Sequence, residues 1–165
     1  MSVLQHSRRR PEVWQARKAR LSRKPCERKP IGSMPTPGNS LLLDTSVVVK
    51  HFRYPTAVVN KLAEYEELYL PQPALGELYY GAYRSGRLER SLAQIERFLD
   101  AVDLLAADKE TSVFYGQIAA GLARAGTPIP QNDIWIAALA RQTGLPVATT
   151  DDHFDRVTNL AVLKW

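Results

Sequence analysis

The chain has 165 residues, 45% of them hydrophobic and 24% charged, with a net charge of +5; these proportions describe one ordinary soluble domain with room for a core. No apolar run approaches the length of a membrane span, and no apolar segment follows the basic start as a secretory signal requires. The single cysteine, Cys26, excludes an internal disulfide or a thiolate metal cluster within one chain and fits a reducing cytoplasm.

The charge is divided along the chain. Residues 1–38 hold ten Lys or Arg against two Glu, whereas residues 39–165 hold twelve Lys or Arg against fifteen Asp or Glu. The head carries Arg8-Arg9-Arg10, Arg17-Lys18, Arg20, Arg23-Lys24 and Arg28-Lys29, together with five prolines and little apolar periodicity. Such a segment cannot bury enough surface to offset chain entropy, and it is expected to be a disordered basic extension. Its Arg-rich composition overlaps with that of an organelle transit peptide, and a basic tail can hold nucleic acid. The plainer expectation is that Met34 is the working start and the residues before it are dispensable.

From residue 39 onward strand and helix signals alternate. Leu41 to Asp44 reads as a buried strand, and Pro55 opens a helix whose Val58, Leu62 and Tyr65 share one face. A brief Leu68 to Leu70 strand precedes a helix of Leu75, Leu78, Tyr79 and Ala82 that closes at Ser85-Gly86, and its partner helix carries Leu88, Leu92, Ile95 and Leu99. Val102 to Leu105 is the next strand. Asp108 is placed to cap a helix through Phe114, Ile118 and Leu122 to the Gly126 stop. After the rigid Thr127-Pro128-Ile129-Pro130 loop, Gln131 or Asn132 begins a helix that is apolar nearly all round and ends at Gly144. Val147 to Thr149 and Ala161 to Leu163 complete the strands. The alternation predicts a three-layer α/β/α domain with a mostly parallel sheet over residues 39–165.

Four acids occupy positions where a solvated charge is not expected. Asp44 and Asp151 follow buried strands, Glu77 interrupts the apolar segment Ala74-Leu75-Gly76-Glu77-Leu78-Tyr79-Tyr80, and Asp133 stands at the start of an apolar helix. Singly, each has an ordinary explanation as a capping or exposed acid. Together they can converge on the carboxyl rim of a parallel sheet, where ligands gather. Four uncompensated carboxylates repel one another, so the set calls for a hard cation such as Mg2+ or Mn2+.

Leu42-Leu43-Asp44-Thr45-Ser46, Gly76-Glu77-Leu78-Tyr79-Tyr80-Gly81-Ala82, Asn132-Asp133-Ile134-Trp135-Ile136-Ala137-Ala138 and Thr149-Thr150-Asp151-Asp152-His153-Phe154 together resemble the motifs of PIN domains, specifically VapC-type ribonuclease toxins of type II toxin-antitoxin systems. The resemblance runs through residues 41–165, in the family's order; the basic head is the one departure. It implies a Mg2+-dependent endoribonuclease in which Asp44, Glu77, Asp133 and Asp151 hold metal, supported by Thr45, Ser46 and Thr149. Asp152 is the ambiguous neighbour of Asp151. It further implies an RNA substrate, a VapB-like antitoxin and a homodimer. The apolar and Tyr-rich faces of residues 55–66 and 74–85 are the expected antitoxin groove. Lys50, Arg53, Arg84 and Arg87 are candidate contacts to the RNA backbone.

The remaining signals have plainer readings. His153 sits among acids and could ligate a metal or carry a proton, but the resemblance makes it a structural neighbour of Phe154, and His6 and His51 have no partner in the pattern. Tyr79, Tyr80 and Tyr83 fall at a spacing that suits core and interface packing better than base stacking, and Trp135 and Trp165 read as packing residues. Three rivals stand beside a toxin nuclease: a PIN nuclease outside a toxin-antitoxin pair, a Mg2+-dependent phosphotransfer or receiver domain, and a silent RNA-binding module. The phosphotransfer reading lacks a second acid at Ser46 and a Gly-rich phosphate loop, and the silent module is expected to lack one of the acids.

Overall fold

The computed structural model describes residues 38–165, so the expectations attached to the basic head, His6 and Cys26 lie outside the described residues. Five strands form one sheet: β1 (Ser40–Leu43), β2 (Glu67–Pro71), β3 (Asp103–Leu105), β4 (Val147–Thr149) and β5 (Val162–Lys164). Their order across the sheet is β3-β2-β1-β4-β5, and every pairing is parallel. Six α-helices accompany them: α1 (Thr45–Arg53), α2 (Pro55–Ala63), α3 (Gln72–Tyr83), α4 (Leu88–Leu99), α5 (Lys109–Ala125) and α6 (Gln131–Thr143). The result is a three-layer α/β/α domain.

The central strand β1 is buried at all four positions, as its uninterrupted apolar run requires of a parallel strand covered on both faces. Because β1 pairs with β2 on one side and β4 on the other, chain order reverses beside it. The carboxyl ends of β1 and β4 therefore border the crevice where open α/β sheets bind ligands.

Helix α1 contains Val47-Val48-Val49 and has no counterpart among the expected elements. Three β-branched residues in a row disfavour a helix. Two local facts outweigh them: the Asp44 side chain caps the helix at the Ser46 amide, and Val47 and Val48 bury themselves in the core. The expected face of the helix begun by Pro55 also shortens, since α2 ends at Ala63 and Tyr65 lies beyond it, its ring 6.4 Å from that of Trp165. A short 3-10 turn over Asp152–Arg156 was not foreseen.

Helix α5 starts on the expected cap, with Asp108 accepting from the Thr111 amide at 2.8 Å in a reciprocal capping box. Helix α6 is buried on most of its circumference, as its apolar composition demands. Gly126 and Gly144 end α5 and α6 in the left-handed region, at φ 67° and 71°. A methyl group at either would meet no neighbour, so only the backbone conformation opposes a side chain there. Gly144→Ala is expected to destabilise the fold by about 1 kcal/mol. Gly116→Ala, on the exposed face of α5 with equal space around it, is expected to stabilise it by about 0.5–1 kcal/mol. Denaturant unfolding of the two variants checks the opposite signs.

Candidate metal centre at the sheet rim

The register of β1 against β4 pairs Leu43 with Ala148, so the next residues, Asp44 and Thr149, emerge side by side at the rim. Asp44 is only 4% exposed. Its Oδ2 accepts from Ser46 Oγ at 2.5 Å, Thr149 Oγ1 at 2.8 Å and the Ser46 amide at 3.3 Å. The two hydroxyls are themselves held from behind: the Thr150 amide donates to Ser46 Oγ and the Asp151 amide to Thr149 Oγ1, each at 2.9 Å. Among the described residues all hydrogen bonds to this carboxylate fall on Oδ2, which leaves Oδ1 as an available ligand atom.

Glu77 lies near the middle of α3 rather than at its start. Ala74, Leu78 and Ala82 turn into the core, which sets Glu77 on the flank of the helix. Thr45 Oγ1 donates to Glu77 Oε2, and Asn132 Nδ2 donates to Oε1 at 2.7 Å. Each donor is the immediate neighbour of another candidate acid, Thr45 of Asp44 and Asn132 of Asp133. The carboxylate of α3 is thus tied to the first residues of both α1 and α6.

Asp133 sits in the first turn of α6, 8% exposed, where the helix N-terminus favours an anion. Burial nevertheless pushes its pKa up to about 6, reinforced by the negative charges of Asp44 and Asp151 and partly opposed by the contact with His153. Asp151 caps the 3-10 turn by accepting from the His153 amide at 2.9 Å. The ring of His153 then folds back so that Nδ1 lies 3.1 Å from Asp133 Oδ2 and 3.0 Å from Asp151 Oδ1. This corrects the reading of His153 as merely a neighbour of Phe154. Phe154, fully buried, anchors the turn while His153 faces the acids.

Asp152 turns elsewhere. Its side chain is 92% exposed and 3.0 Å from Lys164 Nζ, whose hydrogen bond and charge hold the carboxyl below the usual range. Lys164 also reaches Asp155 at 3.0 Å and the Asp151 carbonyl. Asp151 and Asp152, inseparable in the motif, therefore have different surroundings.

Lys50 and Arg53 lie in the last turn of α1, roughly 9 and 14 Å along the helix from Asp44 at 1.5 Å per residue. Arg84 and Arg87 lie at the end of α3 and the start of α4, and the Arg84 guanidinium rests over the Tyr80 ring, 5.3 Å from its centroid. Tyr80 and Tyr83 are 63% and 68% exposed, so of the core and interface packing expected for them the core part is corrected; Tyr79 is half-buried, donating to Glu96 at 2.7 Å. Trp135 does pack, stacked on Tyr115 at 4.3 Å, as does Trp165 against Tyr65. His51 has ring neighbours in Phe52 and Phe98.

Nothing in the sequence singles out Asn132, because its partner Glu77 is 55 residues away and only the folded chain joins them. Asn132→Ala releases one oxygen of Glu77 and is expected to weaken divalent-cation affinity by about 10-fold or more. Asp152→Asn is expected to leave it within about 2-fold. Cation titration followed by thermal shift compares the two.

A parallel α/β domain with a cluster of acids at its switch point places those acids where open α/β sheets bind ligands, a position suited to a divalent cation. The chain belongs to the PIN-domain family, whose model matches residues 41–160. It is 35% identical over 127 residues to the tRNA(fMet)-specific endonuclease VapC of Shigella flexneri, covering 75% of this chain and 96% of that protein. Ribonuclease VapC2 of Haemophilus influenzae is 33% identical over the same shares of the two chains. Among solved structures, a DNA-bound VapBC from Salmonella typhimurium superposes with a TM-score of 0.72 at 30% identity, covering 76% of this chain and 98% of that one.

Proposed function

We propose that this protein is a divalent-cation-dependent endoribonuclease acting as the toxin of a toxin-antitoxin pair. One observation supports the reading: ligand atoms of Asp133, Asp151 and His153 lie within 4.8 Å of one another, while hydrogen bonds from Ser46 and Thr149 to Asp44, and from Thr45 and Asn132 to Glu77, link the other two acids to neighbours of that group, in a chain related to VapC ribonucleases.

The residues fit a hard cation. Their donors are carboxylate oxygens, and Asp133, raised to about 6 chiefly by burial, has the negative charges of Asp44 and Asp151 adding to the rise. Mg2+ or Mn2+ would be held by Asp44, Asp133 and Asp151, with Glu77 completing the set. When bound, such an ion supplies Lewis-acid stabilisation of a phosphodiester's developing charge and lowers the pKa of the attacking water. The chain's own contribution is positional. Ser46 and Thr149 fix Asp44 through one oxygen, Thr45 and Asn132 immobilise Glu77 through both, and the acids serve as ligands rather than proton donors.

Unpaired RNA suits a rim site because its phosphates are not confined within a duplex. The Shigella flexneri relative is a tRNA(fMet)-specific endonuclease, which makes a transfer RNA the first substrate to try. An RNA substrate places the activity in the cytoplasm; among the described residues no helix is long and apolar enough to cross a membrane. The partner is a VapB-like antitoxin whose amphipathic segment lies along α2 and α3, where Tyr80 and Tyr83 are exposed, and the toxin works as a homodimer. Purified chain incubated with transfer RNA should cleave it with Mg2+ or Mn2+ and stop on chelation. Metal-independent cleavage, or none with any divalent ion, contradicts the proposal.

The four acids all lie in residues 39–165, so a chain beginning at Met34 is expected to fold and keep its metal-dependent cleavage. It should lose at most low-salt RNA affinity, since contacts from ten basic side chains act through counterion release. Cleavage by the short and full chains at low and high salt checks this.

A further inference from the structure

We propose that His153 Nδ1 is a ligand of the bound cation, which makes the site a carboxylate-imidazole centre that prefers Mn2+ to Mg2+; the inference rests on the metal-site reading above and specifies its chemistry.

Three ligand atoms, one each from Asp133, Asp151 and His153, lie within 4.8 Å of one another. Two ligands cis to each other in octahedral geometry, about 2.1 Å from the ion, are about 3.0 Å apart. His153 Nδ1 stands at 3.1 and 3.0 Å from the two carboxylate oxygens, so the imidazole is placed as a cis neighbour of both acids. The placement is enforced by the backbone. Asp151 caps the 3-10 turn through the His153 amide, and the buried Phe154 side chain fixes the turn's orientation, so the imidazole is directed toward Asp133. With its proton on Nε2, the ring offers Nδ1 as a neutral donor.

The donor type decides the ion. Mg2+ is held through oxygen and keeps its waters, whereas imidazole nitrogen suits first-row transition ions. A site of carboxylates alone distinguishes the two ions weakly; one nitrogen shifts the balance toward Mn2+. Without an ion the same spacing serves a hydrogen bond between the ring's Nδ1 and Asp133 Oδ2. A purely structural histidine and a ligand therefore look alike in geometry and differ in whether a nitrogen-metal bond forms.

The test is pulsed electron paramagnetic resonance of Mn2+ bound to the full-length protein, made with natural-abundance and with 15N-labelled histidine. The expected spectrum shows nitrogen modulation that changes frequency with the label and disappears in His153→Asn. Calorimetric titration of the same proteins is expected to show Mn2+ affinity falling about 10-fold in His153→Asn while Mg2+ affinity moves less than about 2-fold. Stoichiometric Mn2+ binding that depends on Asp133 but carries no histidine modulation overturns the ligand assignment and leaves the oxygen site standing. Mn2+ binding that is absent, or indifferent to Asp133→Asn, overturns both.

Discussion

Asp44→Asn is expected to lower RNA cleavage at saturating Mg2+ by at least about a thousandfold, equivalent to about 4 kcal/mol of transition-state stabilisation, without loss of the folded state. The asymmetry of the Asp44 carboxylate explains both halves of the result. Oδ2 satisfies Ser46 and Thr149 and helps to start α1, a role that an amide oxygen at the same position keeps. The other atom becomes an NH2 group, which carries no lone pair for a cation and turns its hydrogens toward the site. Fold and capping survive while the ligand is lost. Asp152→Asn is the control, because that carboxylate is solvated against Lys164 and should keep activity within about 2-fold. Equal activity of wild type and Asp44→Asn, at matched melting temperature, contradicts the assignment.

Asp133→Asn is expected to make the cation-free protein more stable at pH 7 and above, by about 3 kcal/mol. The sign follows from the direction of the shift. The Asp133 pKa rises from 3.8 to about 6 in the folded chain, chiefly through burial and then through Asp44 and Asp151. Between those values the folded chain binds more protons than the unfolded one. The Asp133 contribution to stability without metal therefore falls as pH rises from about 4 through 6 and levels off about one unit higher. The variant has no proton to lose at this position, so its advantage over wild type is absent below about pH 4, grows through pH 6 and is complete near pH 7. Added Mg2+ or Mn2+ reverses the ranking, since a ligand that binds only the folded wild type stabilises it in proportion to the logarithm of its concentration over Kd. Melting temperatures of both proteins from pH 4 to 8, in chelator and in excess divalent ion, measure the crossover. A difference between variant and wild type that does not grow as pH rises through 4 to 6 in chelator contradicts the Asp133 shift.

Much of this architecture was legible in the residues. Uninterrupted apolar runs at Leu41 and Val147 marked buried parallel strands, and Asp108, Gly126 and Gly144 marked helix ends through capping and left-handed backbone. The candidate acids stood out because each adjoined apolar sequence. What escaped the sequence depends on through-space partners. Helix α1 hides behind a valine run whose propensity is outweighed by the cap and by burial. Asn132 has meaning only beside Glu77, and His153 only once a 3-10 turn swings its ring to Asp133. Adjacent Asp151 and Asp152 separate only when Lys164 of the last strand arrives to pair with one of them. Tyr80 and Tyr83 share α3 with the buried Ala74, Leu78 and Ala82, but lie on a flank that no described element covers closely enough to bury.

The central claim is that the acids of the β1/β4 rim hold a divalent cation, and anomalous diffraction from crystals of the protein grown with Mn2+ tests it most directly. The account predicts a Mn2+ peak within about 2.5 Å of carboxylate oxygens from Asp44, Asp133 and Asp151. Saturating Mn2+ that leaves those oxygens without a peak, or places the ion at Asp152 and Asp155 instead, contradicts it.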